Sequence, residues 1–137
     1  MEHSTPVDQV EPGRGERTVQ STGVLRGLLE GSVHVAEGAF FTVRQGGRLH
    51  GALFVASGGT AEIETWLQGS IFIERAASVT VTRSGHMQGS IYNAGRFSVF
   101  GALSGPIEGD GETYIDSAAR LARPRREGNV TYWEFPN

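Results

Sequence analysis

Residues 49–55 read LHGALFV, residues 67–73 read LQGSIFI and residues 87–93 read MQGSIYN. Within each phrase the residues alternate. Leu49, Gly51, Leu53 and Val55 share one parity, with His50, Ala52 and Phe54 on the other. Leu67, Gly69, Ile71 and Ile73 alternate in the same way with Gln68, Ser70 and Phe72. A period of two belongs to a β-strand with one face buried, because successive side chains point to opposite faces. The phrase also occurs as LLEGSVHV, ending at Val35, and as ALSGPIEG, ending at Gly109. The shared glycines are Gly31, Gly51, Gly69, Gly89 and Gly105, at spacings of 20, 18, 20 and 16.

A second apolar phrase trails each copy: FFTV at 40–43, AEI at 61–63, VTV at 79–81, FSV at 97–99 and TYI at 113–115. Small residues separate the two phrases, at Gly38, Gly58-Gly59, Ala76-Ala77, Gly95 and Gly111. No stretch between 20 and 116 carries the 3.6-residue periodicity of a helix, so βαβ units are excluded. Short strands of this kind build either antiparallel hairpins or a parallel solenoid. The near-constant repeat length decides for the solenoid, because a coil cannot bury its apolar face alone and neighbouring coils must supply the core. In-register stacking puts Leu29, Leu49, Leu67, Met87 and Leu103 in one interior column, and Val33, Leu53, Ile71, Ile91 and Ile107 in another. Phe41, Ala61, Val79, Phe97 and Val99 supply a further wall. The repeated glycine marks a corner too tight for a side chain.

The predicted fold is therefore all-β: a single-stranded parallel β-solenoid of about five to six coils, each of 16–20 residues, with a C-terminal cap. Residues 1–20 are polar and aperiodic and read as a flexible tail, 21–116 as the solenoid and 117–137 as the cap segment. Within the cap, SAARLARPRREG is expected to hold a helical turn from Ser117 to Pro124, and NVTYWEF at 129–135 a final aromatic strand.

GRLHGALFVASGGTAEI, TWLQGSIFIERAASVTV, GHMQGSIYNAGRFSV and GALSGPIEGDGETYI together resemble the bactofilins, bacterial polymer-forming cytoskeletal proteins. The resemblance covers residues 21–116. It implies a right-handed parallel β-helix that self-associates through its ends into non-polar filaments without nucleotide, often at membranes. It implies no catalysis.

Bulk properties narrow the function further. The 137 residues suffice for one domain, and 20 of them are glycine, about twice ordinary usage. The net charge of -3 disfavours a general nucleic-acid binder. Cysteine is absent, which removes disulfides and thiolate chemistry. The N-terminal MEHSTPVDQVEPGRGER lacks the apolar region of a secretory signal, so a cytoplasmic location is expected.

No residue set has the spacing of an active site, and no catalytic residue, metal site, cofactor or small-molecule substrate is expected. His34 and His50 have outward parity, His86 falls at a corner, and His50 stacks beside Glu30 and Gln68. Glu62 has Thr42, Thr80 and Ser98 as column neighbours, a hydroxyl ladder rather than a carboxylate pair. Glu108, Asp110, Glu112 and Asp116 read as a solvated acidic end. Arg120, Arg123, Arg125 and Arg126 form the one basic patch, suited to an acidic partner or peripheral membrane contact, or simply to a solubilising cap.

One outward column stands apart. His34, Phe54, Phe72 and Tyr92 are expected to stack as a ladder of rings on one face. It admits three readings: structural stacking, a surface covered by the tail or by Tyr132, Trp133 and Phe135, or a protein-binding face. The sequence thus predicts a structural protein of bactofilin type that associates with itself through the solenoid ends. The alternative is a discrete solenoid that holds a protein partner through the ring ladder, as an immunity protein holds a bacterial toxin. A carbohydrate-active enzyme is a distant third, because the corners are too short to build a groove.

Overall fold

The computed structural model describes residues 8–128 and 130–134. Within them the chain winds through short strands in a three-beat order. The first turn holds β1 (Asp8–Val10), β2 (Gly13–Arg14) and β3 (Arg17–Val19), and the second β4 (Thr22–Leu25), β5 (Leu28–Glu30) and β6 (Val33–Val35). The third holds β7 (Phe40–Val43), β8 (Arg48–His50) and β9 (Leu53–Val55), and the fourth β10 (Thr60–Ile63), β11 (Trp66–Gln68) and β12 (Ile71–Ile73). Then come β13 (Ser78–Val81), β14 (His86–Gln88), β15 (Ile91–Asn93), β16 (Arg96–Val99), β17 (Ala102–Ser104) and β18 (Ile107–Glu108). The walls end with β19 (Glu112–Ile115) and β20 (Arg120–Leu121). β21 (Arg123–Glu127) and β22 (Val130–Glu134) form a separate antiparallel hairpin.

Every third strand pairs in parallel. The first sheet runs β1-β4-β7-β10-β13-β16-β19, the second β2-β5-β8-β11-β14-β17-β20 and the third β3-β6-β9-β12-β15-β18. The three sheets close into a β-solenoid of about six turns. The interior columns follow the repeat residue for residue: Leu49 pairs with Leu29 and Leu67, Leu67 with Met87, and Met87 with Leu103. Leu53, Ile71 and Ile91 continue one another, as do Phe41, Ala61, Val79 and Phe97. These side chains are fully buried and form one continuous apolar core. Burial of this kind, added turn upon turn, is the dominant favourable term for such a fold.

The uneven repeat length has a local cause. The corner after each Gly phrase always holds two residues, as at Gly51-Ala52. The other two corners hold two residues or four, as at Glu64-Thr65 and Arg44-Gln45-Gly46-Gly47, apart from the three residues Gly109-Asp110-Gly111 after the shortened β18. Spacings therefore change by twos, and each strand keeps its buried parity. At the constant corner the glycines lie directly above one another. A Cβ on Gly69 would collide with the carbonyl oxygen of Gly51, and φ of Gly69 is +147°. Only glycine satisfies both conditions.

The ends depart from the sequence reading. The first turn already occupies Asp8–Val19, inside the segment 1–20 read as a tail. Among the described residues this turn has a neighbouring turn on one side only. The helical turn expected between Ser117 and Pro124 is not formed. Asp116–Ala119 makes a wide corner, in which the Asp116 carboxylate accepts the Ala118 N–H at 3.0 Å. Leu121 then continues the Leu103 column instead of turning into a helix.

Candidate functional site

The outward face of the third sheet carries a single column, because its strands are three residues long and only the central one points out. That column runs Thr18, His34, Phe54, Phe72, Tyr92 and Glu108. Its rings stack face to face. Centroids lie 4.7 Å apart for His34–Phe54, 4.8 Å for Phe54–Phe72 and 4.9 Å for Phe72–Tyr92, with planes within 8° of parallel. This is the strand spacing of a sheet, so the backbone sets the ring separation. The stack consumes the ring faces and turns the ring edges to solvent. Only the outermost ring faces, of His34 toward Thr18 and of Tyr92 toward Glu108, have no ring stacked on them. His34 Nε2 lies 3.8 Å from the Glu16 carboxylate at one end of the column. At the other end Tyr92 is 41% exposed, and a hollow of about 290 Å³ opens between Phe72, Tyr92, Asn93, Ala94 and Gly109.

A second stack was not evident from sequence. Arg48, Trp66 and His86 occupy equivalent outward positions on β8, β11 and β14. His86 is the first residue of a strand rather than a corner residue. Its ring lies 4.0 Å from that of Trp66, and the Arg48 guanidinium sits 5.5 Å from the Trp66 centroid on the far side, a cation–π contact. Burial, and then the charge of Arg120, hold the His86 imidazole below its ordinary pKa of 6.5. The signal in the sequence is that all three residues immediately precede the first core residue of their phrase: Leu49, Leu67 and Met87.

The remaining candidates separate. Arg120 stands on β20, Arg123 opens β21, and Arg125 and Arg126 lie within the hairpin, so the four arginines span two structural units. Tyr132 and Trp133 fall on β22, opposite Arg125 and Pro124, and Phe135 lies outside the described residues. His50 pairs with Glu30 and Gln68, and Glu62 with Thr42 and Thr80. Glu112 pairs with Arg96 at 3.2 Å, and Asp116 accepts from the Tyr114 hydroxyl at 3.4 Å. Among the described residues no three His, Asp or Glu side chains converge as a metal site. A notch of about 350 Å³ lies where the four-residue corner at Ala76-Ala77 meets the two-residue corner at Ala94-Gly95.

The two ends of the solenoid differ in chemistry. At the first turn Arg17 occupies the inward column position of Val33 and Leu53. Its guanidinium folds across the end. Nε donates to the carbonyl of Glu11 at 3.0 Å, and Nη1 to those of Arg14 at 3.2 Å and Glu16 at 3.1 Å. Val10 and Val19 of the same turn are buried, and a hollow of about 160 Å³ opens between them, Arg17 and Gly23. At the last turn the inward Ile115 is 40% exposed and the neighbouring Tyr114 53% exposed. Ile107, Ala119 and Leu121 are only partly buried. No protein-family model, curated protein or solved structure matches the chain.

Proposed function

We propose that this protein is a non-catalytic structural protein of bactofilin type that associates with itself through the solenoid ends. The observation that carries this reading is the last turn. Strands β18, β19 and β20 are the C-terminal edges of the three sheets, as β1, β2 and β3 are the N-terminal ones, and no described strand pairs with the outer side of either set. Above those edges lie apolar side chains at core positions, Ile107, Ile115 and Leu121. An exposed strand edge with an apolar face is a template for pairing with another chain. Sedimentation velocity and negative-stain microscopy at micromolar concentration test the reading. Species larger than the 14.7 kDa chain are expected. A strictly monomeric particle at every concentration would sink the idea.

The ring ladder favours a second reading, a module that holds a protein partner on the third sheet. A flat column of ring edges is a surface that aromatic-rich interfaces use. The Phe54→Ala, Phe72→Ala double variant keeps its core intact and should lose such a partner. Equal capture by both proteins in a pull-down from the host would exclude this reading.

A further inference from the structure

The two ends are built for opposite outcomes. At the N-terminal end of the described residues an inward arginine is hydrogen-bonded across its own turn, while at the C-terminal end core-position residues are exposed, as Ile115, or only partly buried, as Ile107 and Leu121. We infer that the protein forms a closed two-fold dimer, C-terminal turn against C-terminal turn, with the Arg17 lids facing outward and preventing further growth. This rests on the end-wise self-association proposed above and narrows its product from a filament to a pair.

The backbone of the last turn supports this occupant. The N–H groups of Glu112, Asp116, Arg120 and Ala122 donate back to the preceding turn. Successive peptide groups in a strand point to opposite sides, so those of Ile107, Thr113, Ile115 and Leu121 face away from the stack. A second copy related by a two-fold axis through β19 approaches with its strands antiparallel and exchanges β18 with β20. Side-chain parity requires the axis to pass through a residue of β19 rather than between two. With the axis at Thr113, Leu121 falls opposite Ile107 of the second copy, both inward and apolar. Arg120 then falls opposite Glu108 of the second copy, both outward and of opposite charge. Tyr114 falls opposite Glu112 of the second copy, within reach of a hydroxyl–carboxylate hydrogen bond. The surface is self-complementary, as an isologous interface must be. Shifting the axis to Tyr114 instead brings Glu112 against Asp116 of the second copy. Like charges opposed across a strand pair are destabilising, so the Thr113 register is favoured.

The N-terminal end cannot be joined in the same way. Any chain stacking there must displace the Arg17 guanidinium from three carbonyls and bury its charge, which is costly without a counter-ion. A filament needs both ends, so growth stops at two copies.

Sedimentation equilibrium on the full chain and three variants tests the proposal, with circular dichroism confirming the fold. The wild type should plateau at twice 14.7 kDa. Glu108→Arg should weaken the dimer about tenfold, since a two-fold interface contains the altered pair twice. Glu108→Arg with Arg120→Glu should recover most of that loss. Arg17→Val continues the Val33 column and should convert pairs into longer rods. A monomeric wild type overturns this inference and the end-wise reading together. A wild type whose mass rises without plateau overturns the closed pair alone. A dimer indifferent to Glu108→Arg refutes the register, and an Arg17→Val protein that remains a pair refutes the lid.

Discussion

Asn93 reaches from one turn into the next: its Nδ2 donates to the carbonyl oxygen of Glu112 at 2.8 Å. Asn93 is 1% exposed and occupies the column of Val55 and Ile73, where an apolar residue would be expected. Its amide is fully used. Nδ2 also lies 3.3 Å from Thr113 Oγ1, and Oδ1 accepts the Gly95 N–H at 3.0 Å. The apolar column thus ends in a polar stitch that holds the two-residue corner and the start of β19 together. Asn93→Ala should cost about 1–3 kcal/mol, because it leaves buried groups unpaired. Urea denaturation gives the value. A loss below about 0.5 kcal/mol would mean that water satisfies these groups as well.

Ala76 has φ of +68°, in the left-handed region, where the matching corners carry Gly38 at +76° and Gly58 at +81°. A non-glycine residue pays about 1–2 kcal/mol there, against the roughly 0.5–1 kcal/mol that glycine costs through unfolded-state entropy. Ala76→Gly should therefore stabilise the fold by about 0.5–1 kcal/mol. Gly69→Ala should have the opposite and larger effect, because its Cβ meets backbone that is fixed on both sides. Thermal melts of the two variants should move in opposite directions.

His86 gives the fold a pH dependence. Its folded-state pKa lies below 6.5, through burial first and Arg120 second. The folded state therefore binds its proton less readily than the unfolded chain. The resulting contribution is complete above pH 6.5 and falls as pH drops through and below that value. The melting temperature should decline between pH 7 and pH 5. His86→Phe keeps a ring against Trp66 and should flatten this decline. An unchanged slope in the variant would assign the pH dependence to other groups.

The solenoid was legible in the sequence because each turn repeats its buried parity. Leu49, Leu67 and Met87 can be aligned by eye, and the stacked rings from His34 to Tyr92 follow from the same alignment. What stayed hidden lies at the ends and in one outward column of the middle turns. Arg17 does not look like a core position, since a charged residue fits there only by turning back onto carbonyls of its own turn. Leu121 sits in a stretch rich in helix formers, yet pairing with Leu103 outweighs that local propensity. The Arg48–Trp66–His86 stack shares a register with the core residues beside it, and its residue types give no hint of a common column.

The most direct test of the closed pair is a single intermolecular distance. The chain has no cysteine, so Thr18→Cys, at an exposed outward position on β3, provides one spin-labelling site per chain. Thr18 lies five rungs from Glu108 along its column, through His34, Phe54, Phe72 and Tyr92. At about 4.8 Å per rung, two chains joined by their last turns place the labels roughly 50 Å apart. Double electron–electron resonance on the labelled protein should return that one long distance. A distance of about 30 Å, as in head-to-tail stacking, or none between chains would contradict the account.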